Sequence, residues 1–155
     1  MLNGDLVEGT NLDKAKEFSD LHKPHTAVTL RVTKPYHHRH KIIIGDAYFG
    51  SLATAVALAK VGTWCCMNVK LASKGFPKAV LKERVTTRGD TAHMTVKIPD
   101  MPKHSPIQHA YASAHCDIKP MILVHTCYTA NPGNERVRTW RGMVEGQFVR
   151  KTYRL

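Results

Sequence analysis

Lys41-Ile42-Ile43-Ile44-Gly45-Asp46-Ala47-Tyr48-Phe49-Gly50-Ser51-Leu52 is the stretch on which the fold turns. Its three consecutive isoleucines form a continuous apolar run of the kind that makes a strand buried on both faces. Gly45 and Asp46 end the run, and Ser51 is placed to cap a helix from Leu52 to Val61, with Gly62 marking its end. That helix carries Leu52, Ala53, Ala55, Val56, Ala57, Leu58 and Ala59, which leaves little polar face and predicts packing between other elements. Thr63 to Val69 reads as a second buried strand. The order is therefore strand, helix, strand, for which a right-handed crossover between parallel strands is expected.

Upstream of this unit, Leu2 to Val7 reads as the end of a strand, and Asn11-Leu12-Asp13 as the cap of a short polar helix over Lys14 to Leu21, stopped by Pro24. Residues 26 to 34 alternate apolar and polar with several β-branched side chains, so propensity alone reads a strand. Pro35 and the cluster His37, His38, Arg39 and His40 form a loop that is solvated rather than ligand-forming. Downstream, Phe76 to Arg84 reads as a short helix, and Thr91 to Ile98, Gln108 to Asp117 and Met121 to Tyr128 as three strands. Arg88-Gly89-Asp90, Pro99-Asp100-Met101-Pro102 and Asp117-Ile118-Lys119-Pro120 supply the turns. These strands suggest an antiparallel meander appended to the parallel unit.

Charge narrows the partners. The 155 residues hold 23 Lys and Arg against 12 Asp and Glu, a formal net charge of +11. Five acids and two bases fall in residues 1 to 22, so the basic character belongs to the body of the chain. That balance suits a polyanion such as nucleic acid, and equally a soluble basic surface with no partner. No run of apolar residues is long enough to span a membrane, and no signal peptide is apparent. Cys65, Cys66, Cys116 and Cys127 do not read as a disulfide framework. His104, His109, His115, Cys116, His125 and Cys127 gather in the second half, but without the regular spacing of a tetrahedral zinc site.

Asp46 follows directly after a buried strand, where ligands tend to bind in open α/β sheets, although a helix-leading aspartate has the same sequence context. Gly45-Asp46-Ala47-Tyr48-Phe49-Gly50-Ser51, then Lys60-Val61-Gly62 and Lys74-Gly75-Phe76-Pro77-Lys78, resemble the PiggyBac transposase family. Leu30 to Tyr36 upstream, and Arg88-Gly89-Asp90, His125-Thr126-Cys127 and Asn131-Pro132-Gly133 downstream, fit the same pattern in order and spacing.

The resemblance implies an α/β, ribonuclease H-like mixed sheet carrying three catalytic acids, with Asp46 matching the second. It implies residues 1–74 as part of that core, 75–130 as inserted β-strands, and 131–155 as a basic tail leading to a core helix. It also implies that residues 26 to 35 form a helix, against the alternation noted above. Such enzymes cut DNA with two divalent ions, Mg²⁺ or Mn²⁺, held by acids. On this pattern the first acid would precede Met1 and the third would follow Leu155, so the chain is expected to be a fragment, inactive alone and holding no stable metal. Asp5 is expected to be a surface carboxylate, and Asp90 and Asp117 are not recruited.

The DNA-contact candidates are Arg39, Lys41, Lys74, Lys78, Arg136, Arg138, Arg141, Arg150, Lys151 and Arg154. Trp140, Phe148 and Tyr153 interleave the last group, either to stack on bases or to be covered by a core helix. The partners implied are DNA and a full-length transposase, and the location implied is the nucleus. A DNA-binding or transposase-binding module without chemistry is the alternative function.

Overall fold

The computed structural model describes residues 4–6, 10–69, 76–127, 137–144 and 147–154. Five strands make one mixed sheet: β1 (Ile42–Gly45), β2 (Trp64–Asn68), β3 (Thr91–Lys97), β4 (His109–Cys116) and β5 (Pro120–His125), in the order β1-β2-β5-β4-β3. β1 and β2 are parallel, with Ile42 opposite Trp64 and Gly45 opposite Met67. The other pairings are antiparallel, and β2 meets β5 with Cys66 opposite His125. The three later strands are thus continuous with the parallel pair through the β2–β5 seam. An α/β mixed sheet of the ribonuclease H type is the result. β6 (Val137–Val144) and β7 (Gln147–Arg154) form a separate two-stranded ribbon.

Helix α1 spans Thr10–Lys14, so it ends where the sequence reading placed the helix body. The reading fails because the following residues enter turns, with Phe18 at φ 68°, a conformation no helix continues through. Gly4 to Leu6 belong to no strand, and Leu2 and Val7 lie outside the described residues. Pro24 begins an element rather than stopping one. It sits in the first turn of α2 (Pro24–Thr33), where its missing N–H costs nothing.

Residues 26 to 33 are helical, as the family pattern required and the alternation did not. Burial at Thr26, Ala27, Thr29, Leu30 and Thr33 follows the helical period. The threonines are accommodated because their hydroxyls find partners: Thr29 Oγ1 donates to His25 O at 2.7 Å and Thr33 Oγ1 to Thr29 O at 2.7 Å. A 3-10 turn, Lys34–Tyr36, takes up Pro35 after the α-helix has ended.

α3 (Leu52–Lys60) is capped as the sequence indicated, with Ser51 Oγ accepting from Thr54 N at 3.1 Å and Gly62 at φ 62° just beyond the end. It is packed between elements, touching α2 on one side and β2, β4 and β5 on the other. The Thr26 and Thr54 hydroxyls meet at 2.9 Å between α2 and α3. α4 (Lys78–Glu83) completes the helical layer. Leu30, Leu58, Leu81 and Val85 pack there against Cys65, Met67, Ile122 and Val124 of the sheet. A second cluster, Ala59, Ile98, Ile107 and Ala110, lies beside it.

β1 departs from the sequence reading. It is not buried on both faces: Ile44 is 83% exposed and Ile42 45%. A run of isoleucines records that both faces are apolar, but it cannot report whether anything covers them. Among the described residues β1 is the sheet edge, with β2 on one side.

Candidate active-site tip

Asp46 leaves the carboxyl end of β1, beside the parallel β2, with an exposed carboxylate. Its position is built by the loop that follows. Asp46 Oδ1 accepts from Tyr48 N at 2.8 Å, and its carbonyl accepts from Gly50 N at 3.1 Å and Phe49 N at 3.3 Å. Gly50 closes this turn against β2. A Cβ at Gly50 would lie 1.6 Å from the Asn68 carbonyl oxygen, so the turn can seat only where no side chain intervenes. Below the tip, Thr29, Val32, Thr33, Ile43, Ile44, Gly45, Phe49 and Met67 line a shallow apolar pocket of about 160 Å³. The carboxylate is thus displayed at the rim of a hydrophobic floor, held from one oxygen by its own loop.

Asp5, Asp90 and Asp117 each have partners of their own. Asp5 is not a free surface carboxylate: Arg31 Nη2 lies 2.7 Å from its Oδ2, and its side chain is 12% exposed. Arg31 also reaches Glu17 O at 2.9 Å and Ser19 Oγ at 3.1 Å, so Asp5 serves to hold the N-terminal segment on α2. Asp90 Oδ2 accepts from Thr86 N and Thr87 N at 3.0 and 2.7 Å and shapes a turn. Asp117 pairs with Arg88 at 2.7 Å. Two divalent ions need a bridging carboxylate and further acids on each side.

The basic candidates separate into groups. Arg39 and Lys41 are exposed but precede β1, and five extended residues put Lys41 roughly 15 Å from Asp46. Lys78 is buried, 7% exposed, and desolvation followed by the nearby Lys82 charge pushes its ammonium below the ordinary lysine value. Arg138 and Arg141 lie on β6 and Arg150, Lys151 and Arg154 on β7, with Arg141 opposite Arg150 and Trp140 opposite Lys151. The basic tail is a hairpin where it is described. Lys74 and Arg136 lie outside the described residues.

His37 to His40 form a turn wedged against the end of α3, where His38 N donates to Val61 O at 2.9 Å and His37 Nε2 lies 3.1 Å from Thr33 Oγ1. Among the described residues no three His, Cys, Asp or Glu side chains come together as a metal-holding group.

Sequence reasoning missed a polar relay across the sheet. His93 Nδ1 lies 2.9 Å from Ser113 Oγ, which lies 2.7 Å from His125 Nε2, and Tyr111 stacks on His125 at 5.2 Å. These residues are adjacent only through the β3–β4–β5 register, which no local spacing reveals. Burial, and then the charge His93 can carry, lower the His125 pKa below its ordinary value. The unfolded chain therefore takes up a proton at His125 at a higher pH than the folded chain does. Stability conferred by neutral His125 is present above about pH 6.5 and is lost as pH falls below it.

His37, lowered by desolvation and then by His38, acts with the same sign. Urea unfolding at pH 7.5 and 5.5 is expected to show lower stability at the acid pH. The difference should shrink in His125→Asn, and an unchanged difference in that variant would assign the effect elsewhere.

A parallel strand pair crossed by a helix, extended by antiparallel strands and carrying an acid at the first strand's tip, defines a ribonuclease H-like α/β protein. Residues 1–145 match the family described as Transposase IS4, and the chain belongs to that family of DDE-type transposase domains. No curated protein and no solved structure matches it. No helix among the described residues is long and apolar enough to cross a membrane.

Proposed function

We propose that this chain is a PiggyBac-type transposase-derived domain whose Asp46 is one acid of a DDE set, and that it binds DNA in the nucleus without cleaving it alone. The observation that carries this reading is the exposed Asp46 carboxylate held at the tip of β1 in a chain of the Transposase IS4 family. Intact relatives are expected to hold Mg²⁺ or Mn²⁺ with further acids. Here a single carboxylate cannot place a nucleophile and a leaving oxygen on two ions at once. The net charge of +11 favours DNA retention, alone or alongside a full-length transposase.

Supercoiled plasmid incubated with the purified chain and Mg²⁺ or Mn²⁺ is expected to remain supercoiled. Nicking that disappears in Asp46→Ala would refute the proposed inactivity. In gel shifts with duplex DNA, affinity is expected to fall about 10³-fold between 50 and 200 mM salt if six phosphates are contacted. Salt-independent affinity would remove the electrostatic account.

A further inference from the structure

Three of the four cysteines converge at the β2–β5 seam, where the parallel pair joins the antiparallel strands. Cys65 and Cys66 are successive residues of β2, and Cys127 lies two residues beyond His125, the cross-strand partner of Cys66. Residues 126 and 127 fold back onto β2: Thr126 N donates to Cys65 O at 2.9 Å, Cys65 N donates to Thr126 Oγ1 at 3.0 Å, and Cys127 Sγ donates to Cys65 O at 3.4 Å.

Strand alternation puts Cys66 and its partner His125 on one face and Cys65 on the other. The Cys66 and Cys127 thiols are half-buried, while Cys65 is fully buried.

We propose that Cys66 and Cys127 are an oxidation site, closing to an intramolecular disulfide when the protein meets a low-molecular-weight disulfide. The Cys127 sulfur lies 3.4 Å from the Cys65 carbonyl oxygen, against the peptide that leads into Cys66, and a disulfide needs Cα atoms about 7 Å apart or less. A small movement suffices, and Cys127 can make it because it lies past the last residue of β5. The neighbouring Cys127 holds the Cys66 thiol below its ordinary value, against the effect of burial, whereas desolvation drives Cys65 to about 12. Cys66 is therefore the attacking sulfur and Cys127 the resolving one, while Cys65 stays a thiol.

The Cys66 thiolate attacks one sulfur of the small disulfide, forming a mixed disulfide and expelling a thiolate. That thiolate takes the Cys127 proton, and the Cys127 sulfur then displaces the second small thiolate from Cys66. The second thiolate takes up the proton Cys66 had released to solvent. Two protein thiols are oxidised, and one small disulfide is reduced to two thiols. The bridge staples β5 to β2 across the seam that holds the sheet together.

The full chain is treated with oxidised glutathione, digested without reduction and mapped by mass spectrometry. The expected product is a Cys66–Cys127 linked peptide pair lighter by two hydrogens, with Cys65 and Cys116 unmodified. Cys127→Ser is expected to stop at one glutathione adduct on Cys66, and Cys66→Ser to form neither adduct nor bridge. Circular dichroism checks that both variants remain folded, and the unsubstituted chain alone decides the matter if either does not. A stable glutathione adduct on Cys66 of the unsubstituted chain, a bridge using Cys65, or no reaction at Cys66 would overturn the proposal.

Discussion

Gly50→Ala is expected to destabilise the protein by about 3 kcal/mol or more, measured as a fall in the urea midpoint at constant slope. The added Cβ would stand 1.6 Å from the Asn68 carbonyl oxygen, 2.7 Å from its carbonyl carbon and 3.3 Å from Met67 Cβ. These first two atoms are backbone of the central sheet, so no flexible side chain can swing away. Either the Asp46 turn lifts off β2 or the end of β2 moves. The first outcome breaks the bonds from Gly50 N and Phe49 N to the Asp46 carbonyl that fix the acid's position.

The constraint is one of space, since Gly50 does not adopt a left-handed backbone. Gly4, with nothing within 4 Å, is the control, and its alanine variant is expected within about 0.5 kcal/mol of the parent. A Gly50→Ala variant as stable as Gly4→Ala would show that the loop is not seated on β2.

Leu58→Ala is expected to cost about 3 kcal/mol through a different mechanism, the loss of buried hydrocarbon and the cavity left behind. Leu58 is fully buried on α3, among Leu30, Leu81, Met67 and Val124. Helix α3 is held between α2 and the sheet, so neither side can collapse freely into the space. Chemical denaturation should show the loss with an unchanged slope. A cost below about 1 kcal/mol would mean that this layer repacks around the void. The two substitutions separate the requirements of the fold: Gly50 must leave room for backbone, and Leu58 must fill it.

The element pattern was legible where its signals are local. Ser51 and Gly62 bracketed α3, the turns around residues 89, 100 and 118 separated three strands, and the strand just before Asp46 was found by its isoleucines. Residues 26 to 33 were legible only through the family pattern, because threonine-rich alternation imitates a strand until the hydroxyls are seen bonding within and between helices. Asp46 stands at the tip of the strand that the isoleucine run marks. Arg39 and Lys41 lie at the opposite end of β1.

The sequence by itself determined the order of elements, the strand-helix-strand unit and the acid at its tip, because caps, turns and short apolar runs act over a few residues. Only the tertiary structure decided that β1 is an edge among the described residues, that Asp5 belongs to Arg31, that His93 and His125 share Ser113, and that Cys127 reaches the Cys65 carbonyl. Those facts depend on strand order and register, which are fixed by packing between residues far apart in the chain and leave no periodic trace in it.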